Sequence, residues 1–269
     1  MTNMKAYILH LGNARVESNY FIAHNTAGTS DNPNAPHQPI NVPFSAVLID
    51  HPDAGWVLYD TGTQANWEEE WTVAQRRFAM VMKPENTYME YQLGLVGLKP
   101  EDVKHVIMSH LHQDHTGNMR FFTEADFYIA KEEMSWAVLN LLAMNEEQYQ
   151  ENPFWVRENV FLKLKSLTYI DRDTELFPGI ELVTLPGHSP CVLGLFLHLK
   201  SQPLIFTSDA IHVLQNYNGQ VQGTMYDSLS FVESVRKVKD LEKKHNAKVI
   251  FGHDIEQFSG LKKAPEYYE

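Results

Sequence analysis

Apolar and polar positions along the chain fall into short runs of strand type and longer stretches of helical spacing. Residues 5–11 (Lys-Ala-Tyr-Ile-Leu-His-Leu) and 19–23 predict short strands. The stretch 24–43 is polar and rich in Asn, Pro, Gly and Ser, and predicts a long loop. Apolar runs return at 44–50 and 56–60, and Pro52-Asp53-Ala54-Gly55 between them suits a hairpin. Residues 66–80 and 86–96 have helical character, 104–108 predicts a buried strand, and 127–130 another. Residues 131–165 look helical and carry many large side chains, among them Met134, Trp136, Leu139, Phe154, Trp155 and Phe161. Strands follow at 181–185, 192–199 and 203–207. In 226–245 the residues Leu229, Val232, Val235, Val238 and Leu241 have the spacing of one buried helix face. A last strand runs from Lys248 to Phe251. Hairpins early and helix–strand alternation late predict an α/β protein. Two sheets in contact, flanked by helices, would fill a single domain over residues 1–269.

Composition narrows the partners. A chain of 269 residues can bury a sizeable core without a structural metal, so a metal here would be catalytic. Lys and Arg total 22 against 34 Asp and Glu, and the net charge of -12 disfavours phosphate backbones. No nucleic-acid partner is expected. There is one cysteine, Cys191, so no internal disulfide forms. Cys191 begins an apolar strand and reads as packing rather than as a nucleophile. No signal-peptide pattern opens the sequence and no apolar run approaches the length of about 18 residues that spans a bilayer. No membrane partner is expected, and the default compartment is the cytoplasm.

The chemistry concentrates in His110-Leu111-His112-Gln113-Asp114-His115, directly after a predicted strand. Imidazole nitrogen suits zinc and similar divalent ions, and carboxylates complete or bridge such sites. His188, Asp209 and His253 each lie just past another predicted strand. Together these residues supply the ligands of a two-metal site, in which Asp209 has two oxygens to share.

His110-x-His112-x-Asp114-His115, Pro186-Gly187-His188, Ser208-Asp209-Ala210 and Gly252-His253-Asp254 resemble the motifs of the metallo-β-lactamase superfamily, and Asp60-Thr61-Gly62 its early Asp motif. The resemblance implies an αββα four-layer sandwich, with the metals at one edge between the sheets. It implies one metal on His110, His112 and His188, a second on Asp114, His115 and His253, and Asp209 bridging them. Asp60 would orient the metal loop by hydrogen bonds. Diiron oxygen-reducing members have Glu where this chain has His112, so the imidazole favours hydrolysis. Within the superfamily the chain is similar to the N-acyl homoserine lactonase group, on Phe-Thr-Ser-Asp209-Ala210, Pro186-Gly187-His188-Ser189-Pro190 and Gly252-His253-Asp254-x-x-x-Phe258. That group usually carries Tyr three residues after the bridging Asp, where this chain has His212, and continues the Ser-Pro segment with Gly-His, where it has Cys191-Val192.

The expected reaction is ring opening of a lactone by metal-bound hydroxide, with two divalent ions about 3.5–4 Å apart. Zinc comes first, and iron, cobalt or manganese suit the same ligands. Asp114 or His212 would handle the leaving-group proton, His212 would donate to the developing oxyanion, and 131–165 would wall the substrate pocket. The partner would be a small lactone or ester, acted on by a monomer or homodimer. Alternatives on the same centre are thioester or other carboxylic-ester hydrolysis and, against the charge balance, phosphodiester cleavage. A binding protein with a vestigial metal site is the alternative of a different class.

Overall fold

The computed structural model describes residues 3–269. Twelve strands form two sheets. The first holds β1 (Lys5–Glu17), β2 (Pro39–His51), β3 (Gly55–Tyr59), β4 (Ala79–Met82), β5 (Val103–Ile107), β6 (Asp126–Ala130) and β7 (Ser166–Ile170), in the order β4-β1-β2-β3-β5-β6-β7. The second holds β8 (Thr174–Phe177), β9 (Ile180–Leu185), β10 (Val192–Leu197), β11 (Leu204–Phe206) and β12 (Lys248–Ile250), in the order β12-β11-β10-β9-β8.

Alternation along the strands builds three apolar layers. Ala6 and Ile8 of β1 and Leu193, Leu195 and Leu197 of β10 point between the sheets. Tyr7, Leu9 and Leu11 of β1 face the other way, onto the helices that follow β3, β5 and β6. Val192 and Phe196 of β10 meet Phe231, Val235 and Val238 of the helix Ser228–His245. The result is the four-layer αββα sandwich.

The sheet directions gather the functional loops at one edge. β9 and β11 both run antiparallel to β10, and β12 runs parallel to β11. The loops after β9, β11 and β12 therefore leave on the same side. In the other sheet β3 and β5 are parallel, so the loops after them also leave together.

Several expectations are corrected. Residues 19–23 are not a strand: the chain makes a 3-10 turn at Ser18–Tyr20, and the amides of Phe21 and Ile22 bond to Ser18 O instead of to a neighbouring strand. The helical reading of 66–80 splits into Trp67–Glu70 and Val73–Phe78, and Ala79–Met82 pairs with β1 as an edge strand. The 131–165 segment is three helices, Lys131–Ala143, Glu146–Gln150 and Arg157–Val160. β7 and β8 were not expected, because edge strands bury too little to show a clear alternation. On the helix Ser228–His245 the buried stripe is Phe231, Ser234, Val235 and Val238, rotated from the expected face, and Leu229 is 78% exposed.

Candidate metal centre

The loop after β5 starts at Met108, and its His-rich run enters the short helix Gln113–Thr116. Two residues with left-handed backbone frame it: Asp60 after β3, at φ 61°, and Ser208 after β11, at φ 46°. Such conformations are uncommon outside glycine, and Asp tolerates them better than most residues. In this conformation the Asp60 carboxylate accepts from Ser109 N and Ser109 Oγ, both at 2.7 Å, and lies 2.8 Å from His115 Nδ1. It thereby ties β3 to the loop that carries the histidines. Gly252, before His253, is the residue that lets β12 approach: a Cβ there would lie 2.6 Å from Ser208 O and 3.1 Å from Asp209 Oδ1.

The seven expected ligand residues come together in two groups that share Asp209. His110, His112, His188 and Asp209 form one; Asp114, His115, Asp209 and His253 form the other. Within each group the candidate ligand atoms lie within 4.8 Å of one another. Five imidazoles stand around the Asp209 carboxylate: His253 at 2.9 Å, His115 and His212 at 3.2 Å, His188 at 3.4 Å and His110 at 3.7 Å.

Most of these rings are held from behind. His115 Nδ1 has Asp60, His110 Nδ1 has Ser109 Oγ at 3.0 Å, His188 Nδ1 has Gln222 Oε1 at 3.1 Å, and His253 Nδ1 has Pro43 O at 2.9 Å. An outer hydrogen bond on one ring nitrogen leaves the other to face a metal. In agreement, His110 Nε2, His115 Nε2 and Asp209 Oδ1 are buried without an aligned hydrogen-bond partner. Buried polar atoms are seldom left so.

The charges differ between the groups. Burial, reinforced by neighbouring imidazoles, pushes His110 and His112 well down, and burial takes His188 down to about 3. Those three rings are neutral, as a metal ligand must be. Burial also opposes charge on His115 and His253, but Asp209 and Asp114 outweigh it and raise both, with Asp60 adding to His115. Burial likewise works against ionisation of Asp209, yet His253, His115 and His212 hold it well below the usual carboxylate range. The second group is thus a place where carboxylates favour positive charge. Neutral imidazoles, unpartnered nitrogens and carboxylates that attract cations fit a pair of divalent ions.

His212 points into the same cluster. Its Nε2 lies 3.2 Å from Asp209 Oδ2, its Nδ1 has no partner, and its ring packs 4.5 Å from that of Phe21. Tyr217 turns away and bonds through its hydroxyl to Glu242. Cys191 is buried, and burial lifts its thiol to about 12, so it is not a nucleophile.

Besides one along Asp60, His115 and His253, two cavities meet at the cluster. One lies over Asp114, Asp209 and His212, roofed by Tyr20, Phe21 and Phe78. The other, of about 320 Å³, opens beside His112 and His188 and is walled by Trp136, Phe154 and Trp155. Phe154 borders both and stacks on His112 with ring centres 5.0 Å apart. Its carbonyl accepts from Gln113 N at 2.9 Å. Of the 131–165 segment, then, Trp136, Phe154 and Trp155 reach the cavity; Met134 and Tyr149 are core, and Leu139 and Leu142 are exposed.

Four residues of the site escape sequence reasoning. Gln222 holds His188 and donates to Asp209 O at 2.7 Å, Pro43 offers only a carbonyl, and Ser208 donates to Ser109 Oγ at 2.9 Å. Glu133, wholly buried, accepts from Leu111 N at 3.1 Å inside the histidine run. Of the four, only Ser208, adjacent to Asp209, carries a positional hint.

Residues 42–253 match the sequence profile of the Metallo-beta-lactamase superfamily. The chain is 30% identical to N-acyl homoserine lactonase AiiB of Agrobacterium fabrum, over 98% of this chain and 99% of that one. It is 32% identical to an N-acyl homoserine lactonase of Bacillus cereus, over 85% of this chain and 88% of that one. The fold superposes with a TM-score of 0.83 on a solved N-acyl homoserine lactone hydrolase holding its product N-hexanoyl-L-homoserine at the catalytic metal centre, at 26% identity over 99% of this chain and 100% of that one.

Proposed function

The chain belongs to the metallo-β-lactamase superfamily, in its N-acyl homoserine lactonase group, and on that premise we propose that it is a metal-dependent hydrolase that opens small lactone rings, N-acyl homoserine lactones first. The observation that carries the reading is the pair of ligand groups sharing Asp209 at the floor of a cavity. His110, His112 and His188 would hold one ion, Asp114, His115 and His253 the other, and Asp209 both. Zinc suits these ligands best, with iron, cobalt or manganese as substitutes. Bound there, two divalent ions supply Lewis acidity toward a carbonyl and a water nucleophilic at neutral pH.

The chain's own residues do the rest. Asp60, Ser109, Gln222 and the Pro43 carbonyl fix the imidazole orientations before substrate arrives. Asp114 is the most exposed of the ligand residues, and it would pass a proton to the departing alkoxide. His212 donates through Nε2 to Asp209 in the resting site. A substrate carbonyl oxygen that gains charge beside it would compete for that N–H. Tyr20, Phe21 and Phe78 exclude water from above, and Trp136, Phe154 and Trp155 offer an apolar wall to an acyl chain.

The test is turnover of the metal-loaded protein on a lactone panel beside a thioester panel, each followed by product chromatography. N-acyl homoserine lactones are expected to lead in kcat/KM. Good thioester cleavage with no lactone opening would move the chain to the thioesterases, and diester phosphate cleavage above both would move it to the phosphodiesterases.

A further inference from the structure

Four of the five expected ligand histidines have an outer hydrogen bond on the ring, and His112 has none. Among the described residues, its ring nitrogens meet only another ligand, with His188 Nε2 3.1 Å from His112 Nδ1. The orientation of His112 therefore comes from the Phe154 ring stacked on it and from the main chain on either side. On one side Gln113 N donates to Phe154 O at 2.9 Å. On the other, Leu111 N, between His110 and His112, donates to Glu133 Oε1 at 3.1 Å.

Glu133 lies in the first turn of the helix Lys131–Ala143 and is 0% exposed. The helix N-terminus favours a carboxylate there, but a buried charge is costly unless several donors meet it. Burial pushes the Glu133 carboxyl up to about 7, against the Ser189 hydroxyl and the amides of Leu111 and Cys191. Those donors come from two loops. Leu111 belongs to the histidine run after β5, and Ser189 and Cys191 to the loop after β9 that carries His188. The β9 loop is also fixed on its far side, where Tyr226 N donates to His188 O at 3.0 Å and Ser234 Oγ to Pro186 O at 2.6 Å. Toward the histidine run, Leu193 N donates to Ser109 O at 2.8 Å, and Glu133 is the side chain that receives donors from both loops. An apolar side chain of equal length would fill the same space and leave those donors without an acceptor.

We propose that Glu133 is a positioning residue for one metal and not the other: by drawing Leu111 N together with Ser189 and Cys191, it sets the His110–His112 loop against the His188 loop. The inference rests on the two-ion reading and deepens it, since it assigns to one buried carboxylate the assembly of the His110, His112 and His188 set. The Asp114, His115 and His253 set is held instead through Asp60 and the Pro43 carbonyl.

The test reads metal affinity. Zn2+ is titrated against a competing chelator into the unmodified protein, Glu133→Gln and Glu133→Met, each alone and combined with His188→Ala or His253→Ala. In the His253→Ala background the ion that remains is held by the first set, and Glu133→Met is expected to weaken it roughly 10- to 100-fold, the usual effect of losing a group that orients ligands. Glu133→Gln, which keeps one acceptor oxygen, should lose less. In the His188→Ala background the remaining ion is held by the second set, and neither Glu133 variant should change its affinity. Equal weakening in the two backgrounds would make Glu133 a general support of the fold and overturn the proposal. Unchanged affinity in both backgrounds overturns it as well, and so does loss of native circular dichroism in both single variants. Fewer than two ions on the unmodified protein would instead defeat the two-ion reading itself.

Discussion

Replacing Asp209 by alanine is expected to lower kcat/KM for lactone opening by about a thousandfold or more and to reduce the bound metal below two ions per chain. The carboxylate is the only group common to both ligand sets, and five imidazoles lie within 4 Å of it. Without it, both sets lose a ligand, and the attraction for positive charge around His115 and His253 loses its strongest source. Lewis-acid stabilisation amounts to several kcal/mol, and each 1.36 kcal/mol is about tenfold in rate. Elemental analysis beside steady-state kinetics checks both halves. An Asp209→Ala protein that keeps two metals and activity within about tenfold would mean that Asp209 does not join the two sets. Circular dichroism separates this from misfolding, because the residue sits in a loop after β11 and not in an apolar layer.

The second large effect is expected at His212. His212→Ala should lose roughly 10²–10³ in kcat, the usual cost of removing one donor from a developing oxyanion, while two metals stay bound. His212→Gln, which keeps an N–H donor, should recover part of the loss. The separation of metal content from rate is what distinguishes donation to substrate from support of Asp209, since the same Nε2 lies 3.2 Å from Asp209 Oδ2. Loss of metal in step with activity in His212→Ala would assign the residue to holding Asp209 and nothing more.

Much of the site was legible because its chemistry is local. His110, His112, Asp114 and His115 fall within six residues, and one strand and one short helix aim them. His188, Asp209 and His253 were legible as polar residues just past apolar runs, and the parallel arrangement of β9, β11 and β12 makes those three ends coincide. The supporting contacts were not legible. The Pro43 carbonyl reaches His253 across 210 positions of sequence, and a backbone acceptor leaves no trace in residue type. Gln222 lies in a polar stretch where one amide side chain looks like another. Glu133 sits in the run Lys131-Glu132-Glu133, which reads as the solvated start of a helix, yet it is fully buried beneath the histidine loop.

The same division holds for the fold. Central strands such as β5, which ends in the buried pair Val106 and Ile107, and β10, which is apolar throughout, are legible to within a residue or two. β4 and β7 are sheet edges, and what makes them strands is a partner distant in sequence, β1 in one case and β6 in the other. The helix Ser228–His245 is legible in the sequence, but its buried face is not. Leu229 and Val232 continue the apolar spacing of Val235 and Val238, and only packing against β9 and β12 shows that Phe231 and Ser234 take the inner positions.

The central claim, a lactone-opening centre that needs two ions, is tested most directly by titrating metal-stripped protein with Zn2+ and following ring opening of an N-acyl homoserine lactone. Activity is expected to be negligible without metal and to reach its plateau at two equivalents. Full lactone opening by the stripped protein, or no opening at two equivalents bound, would contradict it.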